Sequence, residues 1–192
     1  MECEPLKVTL IRHTSLAIPS DVCYGQADVD VAESFAQEAV VTKQKLPDNI
    51  DAAFSSPLQR CVKLANALVL ENVSYDDRLK ELHFGDWEMQ AWDHMPRAHF
   101  DEWAQNYAHM APPSGETFRE LQLRGISFVE EMLKQYHGKH IVVVTHGGMI
   151  RALLAHVLTM ELKGLFRFNV DYGSVTQLDF SGVVPKINYV NR

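Results

Sequence analysis

The sequence predicts an α/β fold: a three-layer αβα sandwich with a mostly parallel sheet and a small helical insertion over one end. Three observations carry this. Short β-rich runs alternate with helix-length segments along the chain. Residues 140–145 are almost entirely apolar, the pattern of a central parallel strand covered on both faces. Two of the runs are followed at once by helix-start punctuation, Ser55-Ser56-Pro57 in one case and Gly147-Gly148 in the other.

Residues 6–11 form the first β-rich run, bounded by Pro5 and by the polar pair Arg12-His13. A loop follows through Pro19, Asp21 and Gly25, then a helix over 32–45 that Pro47 stops. Residues 51–54 read as a second strand. A helix then runs to residue 70, with Ser55 or Ser56 as cap and Pro57 at its first position. Residues 73–75 read as a third strand. Between 81 and 113 the strand pattern disappears. Phe84, Trp87, Trp92, Phe100, Trp103 and Tyr107 crowd into what reads as the helical insertion. A helix over 116–136 has a cap-like start at Ser114-Gly115-Glu116-Thr117, with Glu116 favoured in the first turn by the helix dipole; a pairing of Glu116 with Arg124, or its contact with the pocket rim, is the lesser reading. The apolar strand, a helix to residue 159, and two closing strands at 174–180 and 186–189 complete the chain, read as a single domain over 1–192.

At 192 residues, 46% hydrophobic and 22% charged, the chain fits one domain with a sizeable core. A net charge of −7 argues against a broad nucleic-acid-binding face, which needs clustered Lys and Arg, yet leaves room for a small cationic pocket. Cys3, Cys23 and Cys61 are odd in number and form no C-x-x-C pair, so a disulfide framework or thiolate zinc site is not expected. Residues 1–5 carry two acids and no apolar stretch, and no apolar run is long enough to span a bilayer. The expectation is a cytoplasmic protein with no membrane or nucleic-acid partner.

Ligands of such sheets gather beyond the carboxyl ends of the strands. Arg12 and His13 follow the first strand, His146 follows the apolar strand, and Arg60 lies in the first turn of the second helix, so all should face one sheet edge. Alone, either histidine reads as a loop residue, Arg60 as a surface residue and Gly-Gly as ordinary. Together they point to a compact dianion. Phosphate fits, because guanidinium groups meet its oxygens bidentately. Gly147 and Gly148 add backbone N–H donors at a helix start.

Five segments carry a family resemblance: Leu-Ile-Arg-His-Thr, Ser-Ser-Pro-Leu-Gln-Arg, Leu-Lys-Glu-Leu-His-Phe-Gly-Asp-Trp-Glu, Ser-Gly-Glu-Thr-Phe and Val-Val-Thr-His-Gly-Gly-Met-Ile-Arg. In this order they resemble the histidine phosphatase (phosphoglycerate mutase-like) superfamily, branch 1, over residues 6–180. The segment Val22-Cys23-Tyr24-Gly25-Gln26-Ala27-Asp28-Val29 is further similar to its alpha-ribazole phosphatase branch, which serves cobalamin biosynthesis. The resemblance implies a metal-independent phosphomonoesterase without cofactor. His13 would be the nucleophile, Arg12, Arg60 and His146 would hold the phosphoryl oxygens, and Glu81 would serve as proton donor.

The chain departs from the family pattern in places. Thr14-Ser15 stand where Gly-Glu is usual, no Asn lies near Pro19, and Met89 replaces a common Gly. The missing phosphate contact would fall to Thr14 or to the Tyr24-Gly25-Gln26 backbone. The substrate implied is a small phosphomonoester, with alpha-ribazole 5′-phosphate as the specific candidate. Phosphoglycerate mutase-type transfer, a broad-specificity phosphatase and a binding module that has lost catalysis are the alternatives. Oligomeric state, a homodimer included, is left open.

Other signals are set aside. Asp28-Val29-Asp30-Val31 imitates an aspartate-nucleophile signature but follows no apolar strand. A cysteine phosphatase needs Arg six positions after its Cys, where this chain has Ala67 and Val29. His137 and His140 straddle a helix end and a strand start, so exposure is expected rather than metal binding. Of Trp87, Trp92 and Trp103, some should line the pocket mouth and favour a flat leaving group, the rest being core.

Overall fold

The computed structural model describes residues 6–192, so Cys3 and the reading of residues 1–5 as carrying no export signal lie outside it. A six-stranded sheet has the order β3-β2-β4-β1-β5-β6. Its strands are β1 (Lys7–Arg12), β2 (Ala52–Ser55), β3 (Ser74–Tyr75), β4 (His140–Thr145), β5 (Val175–Asp179) and β6 (Lys186–Tyr189). β3, β2, β4 and β1 pair in parallel, while β5 and β6 close the sheet antiparallel.

β4 is central, as its apolar run requires. Ile141 and Val143 pack with Val8, Leu10 and the residues of α4 (Phe118–Gln135) and α5 (Gly147–Val157). Val142 and Val144 pack the other way, with Ile11 and with α1 (Phe35–Lys43) and α2 (Gln59–Ala67). All four β4 side chains are fully buried. At roughly 1.5–3 kcal/mol for each buried aliphatic side chain, both faces need cover, and this produces the helix–sheet–helix layering.

Several element boundaries differ from the sequence reading. The second helix starts at Gln59, with Leu58 as N-cap and no side-chain cap of its own. Ser55 ends β2, and Ser56 is bonded elsewhere, so the cap comes from Asp28, whose Oδ1 accepts from Gln59 N at 2.8 Å. α1 is shorter than 32–45 at both ends. α4 is capped by Thr117 rather than by the segment before it, in a reciprocal box with Glu120, while Ser114 takes a positive φ. The lesser reading of Glu116 is the one found: it pairs with Arg124 at 2.6 Å. A 3-10 segment at Leu162–Arg167 carried no sequence signal. His140 is half-buried rather than exposed, its Nε2 lying 2.7 Å from Thr9 Oγ1 inside the sheet edge.

The insertion contains two 3-10 turns, Gly85–Trp87 and Trp92–His94, and α3 (Arg97–Asn106). Trp87 and Trp103 are core, stacked edge to face at 5.5 Å. Met89, where the family pattern has Gly, sits at φ 64° with its side chain half exposed. A non-glycine residue in that region is strained by about 1 kcal/mol. Met89→Gly is therefore expected to raise the melting temperature by about 2–4 °C in a thermal unfolding scan, and a lowered value would contradict the strain.

Candidate active site

The register of β1 on β4 sets Arg12 beside Thr145, which brings His13 and His146 level just past the strand ends. Their ring centroids are 5.2 Å apart and both residues are fully buried. Ser56, one residue past β2, reaches the same floor, its Oγ 2.8 Å from His146 Nε2. Arg60 comes in from the first turn of α2 and is also fully buried.

Hydrogen bonds assign the protons. His13 Nδ1 lies 2.8 Å from the Thr14 carbonyl, which can only accept, so Nδ1 carries the hydrogen and Nε2 holds a free lone pair. Burial, then Arg60, then Arg12 hold the His13 pKa well below its ordinary value near 6.5, so the ring is neutral at pH 7. Arg60 Nε donates to His146 Nδ1 at 3.3 Å, which makes His146 Nε2 the protonated nitrogen facing Ser56. Burial and Arg60 also keep His146 neutral. The Cys61 thiol lies 3.5 Å from His146, but burial pushes its pKa up to about 12, so it is no thiolate nucleophile.

Among the described residues, five buried side-chain polar atoms lack a hydrogen-bond partner, and three of them belong to Arg12 (Nε), His13 (Nε2) and Thr14 (Oγ1). Buried polar groups are normally satisfied, so three consecutive exceptions mark a place shaped for a ligand.

Glu81 stands on the insertion side. Its Oε1 accepts from Leu82 N at 2.8 Å and its Oε2 from Gly148 N at 3.0 Å, at the start of α5. Arg124 fastens the arm that carries it, donating to the carbonyls of Arg78, Lys80 and Glu81 at 2.6–2.8 Å. Gly148 is required for this approach, because a Cβ there would lie 2.2 Å from Glu81 Oε1. Gly148→Ala should cost about 1–3 kcal/mol in urea unfolding, and an unchanged midpoint would show that Glu81 can move aside freely.

A cavity of about 240 Å³ opens at this edge, with the fully buried His13, Thr14, Arg60 and His146 lying behind its lining rather than in it. Arg12, Glu81, Gly147, Gly148 and Arg151 line it on the polar side, and Tyr24, Phe84, Trp92, Phe118, Phe166 and Tyr172 supply an aromatic wall. Of the three tryptophans considered, Trp92 alone reaches it. The Tyr24 and Tyr172 hydroxyls are 3.2 Å apart, and Arg12 stacks on the Tyr172 ring at 3.9 Å. Burial raises the Tyr24 pKa, so its hydroxyl stays neutral.

The structure thus gathers Arg12, His13, Thr14, Tyr24, Gly25, Arg60, Glu81, His146 and Gly147 at one sheet edge. Gln26 is turned away from the cavity. Its backbone N–H goes to Glu88 and its side chain donates to the Glu81 carbonyl at 3.0 Å. Likewise the 24–26 loop presents the Gly25 carbonyl, not an amide, toward the site, where Arg60 takes it at 2.6 Å. Sequence reasoning missed Ser56, Glu88, Arg151 and Tyr172 as members of the site. Ser56, Glu88 and Arg151 stood inside the quoted motifs, and Tyr172 carried no signal.

Similarity to known proteins points the same way. The chain is 26% identical to phosphoserine phosphatase 1 of Hydrogenobacter thermophilus, over 95% of this chain and 92% of the relative. It is 24% identical to the adenosylcobalamin/alpha-ribazole phosphatase of Escherichia coli, over 97% and 96%. Among solved structures, a mycobacterial glucosyl-3-phosphoglycerate phosphatase superposes with a TM-score of 0.84 at 25% identity, covering 97% of this chain and 99% of that one. The profile of the histidine phosphatase superfamily (branch 1) matches residues 8–192. With the motifs, the fold and this match in agreement, the chain belongs to the histidine phosphatase superfamily, branch 1.

Proposed function

We propose that this chain, working as one domain, hydrolyses small-molecule phosphomonoesters through a phosphohistidine on His13. The observation that carries the reading is the row of unsatisfied buried atoms on Arg12, His13 and Thr14, a lone pair flanked by two polar groups. In the first step His13 Nε2 attacks phosphorus, the P–N bond forms, the P–O ester bond breaks and Glu81 gives its proton to the departing alcohol oxygen. In the second step water attacks the phosphohistidine, Glu81 takes a proton back, the P–N bond breaks and inorganic phosphate leaves. Arg12 and Arg60 hold the equatorial oxygens, joined by the His146 Nε2–H as it turns from Ser56 Oγ to the phosphoryl group, supplying the charge stabilisation that dominates phosphoryl transfer. Guanidinium groups do this without a metal ion, so activity should be unchanged after dialysis against EDTA.

The aromatic wall favours a leaving group with a flat ring, and alpha-ribazole 5′-phosphate is the first substrate to test. Arg151 supports a second reading. It lines the same cavity, is half-buried, and has no carboxylate in ion-pair range among the described residues. A phosphorylated amino or hydroxy acid such as phosphoserine would offer it one. A phosphate-release panel with alpha-ribazole 5′-phosphate, phosphoserine, p-nitrophenyl phosphate and 2- and 3-phosphoglycerate decides by kcat/KM. Interconversion of the two phosphoglycerates without phosphate release would replace hydrolysis with mutase chemistry. No turnover and no labelling of His13 across the panel would leave a binding module.

A further inference from the structure

We propose that Glu88 is a positioning residue that aims Arg60 through the single peptide group between Gly25 and Gln26. This rests on the phosphatase reading above. Glu88 follows the Gly85–Trp87 turn, and its side chain is 12% exposed. With one carboxylate it accepts three backbone N–H groups: Gln26 at 2.9 Å, Ala27 at 2.5 Å and Phe84 at 3.0 Å. The only side-chain nitrogen of a basic residue within 4 Å of it among the described residues is His83 Nε2, at 3.9 Å, so backbone amides are what this carboxylate holds. It therefore ties the insertion to the 24–27 loop.

The geometry of a trans peptide turns that tie into an aiming device. The C=O and the following N–H of a planar trans peptide point in opposite directions. Because the Gln26 N–H is drawn to Glu88, the Gly25 carbonyl is driven the other way, where it accepts from Arg60 Nη2 at 2.6 Å. The Ala27 carbonyl takes the other arm, Nη1, at 2.8 Å. Arg60 is thus gripped on both terminal nitrogens, and its Nε holds His146. Gly25 is essential to the relay, with φ 39° and a hypothetical Cβ only 2.5 Å from Glu88 Oε1.

A fully buried arginine with long side-chain freedom would otherwise have several ways to point, and aiming it in advance removes reorganisation from the transition state. Glutamine at position 88 keeps the shape but turns one acceptor oxygen into an NH₂ group facing an amide N–H. Oε1 holds the Gln26 and Phe84 N–H groups and Oε2 the Ala27 N–H, so with the charge and one acceptor gone the tie on the 24–27 loop weakens and Arg60 is held less firmly in its aim.

The test measures Glu88→Gln in the full chain against p-nitrophenyl phosphate, with active sites counted by phosphohistidine burst and with orthovanadate as transition-state mimic. Expected are a fall of about 30-fold in kcat/KM per active site and a similar rise in the vanadate Ki, against a change of less than about threefold in the Ki of a ground-state phosphate. A purely structural role would lower the burst amplitude and leave the vanadate Ki of the surviving sites unchanged, which overturns the proposal. In an Arg60→Ala background, Glu88→Gln should cost less than about twofold, because its effect passes through Arg60. An undiminished 30-fold cost there also overturns it. If Glu88→Gln does not fold, Glu88→Asp is read the same way, with a smaller but parallel loss in kcat/KM and vanadate affinity, and failure of the two to move together rejects the proposal. Wild-type protein is assayed first, so absent turnover and labelling would mark failure of the phosphatase reading rather than of the Glu88 relay.

Discussion

His13→Gln and His13→Ala should each reduce turnover by at least about 10⁴-fold while leaving the chain folded. Among the described residues, the other nitrogen and sulfur candidates near the cavity are engaged or held protonated. The Cys61 thiol is held protonated by burial, the Tyr24 hydroxyl is neutral, and the free nitrogen of His146 accepts from Arg60. The lost species is directly visible: wild-type protein mixed with substrate and quenched in alkali should carry an acid-labile phosphoryl group that both variants lack. Residual activity above about one percent would place the nucleophile elsewhere.

The same histidine gives a pH signature. Because its pKa is lowered in the fold, His13 remains a neutral nucleophile below pH 6.5, and the acid limb of kcat/KM should lie under that value. Stability runs in the same window. Below about pH 6.5 the unfolded chain protonates His13 and His146 while the folded chain does not, so unfolding takes up protons and stability falls with pH until the folded-state pKa values are reached. Removing His13 should therefore make the denaturation midpoint less sensitive between pH 7.5 and 5. An equal slope in wild type and variant would contradict the buried neutral ring.

Glu81→Gln should slow alkyl phosphates by about 10²–10⁴-fold and p-nitrophenyl phosphate by less than about tenfold. The difference isolates proton donation, since an alkoxide needs a proton to leave and p-nitrophenolate does not. The substitution also replaces one of the two oxygens that accept from Leu82 and Gly148, so a modest fall in melting temperature should accompany it. That fall affects both substrates alike and cannot imitate selectivity. Equal slowing of the two would remove Glu81 from the acid role.

Much of this site was legible from chain order. Arg12 and His13 had to sit at the end of β1 because the strand ends there, and His146 at the end of β4 for the same reason. Parallel pairing of those two strands then makes them neighbours. What was not legible came from partners far apart in sequence. Asp28 caps a helix 31 residues away, Glu88 holds a loop 62 residues earlier, and the Arg12 guanidinium bonds the Val170 carbonyl across 158 residues. The cap of α4 was misplaced because Ser114-Gly115-Glu116 imitates the Thr117–Glu120 box that forms. The cavity wall was incomplete because Phe166 and Tyr172 arrive from segments that carry no chemical motif, while Phe118 closes a motif without itself bearing reactive chemistry.

The division follows the range of the forces. Strand alternation, helix punctuation and the burial of a central apolar run are local or summed properties, so the layered fold and the convergence of His13, Arg12, Arg60 and His146 on one edge are readable along the chain. Hydrogen-bond direction is set by the orientation of groups on other elements. The free Nε2 of His13, the grip on Arg60 and the seat of Glu81 on Gly148 therefore become defined only when those elements are packed together.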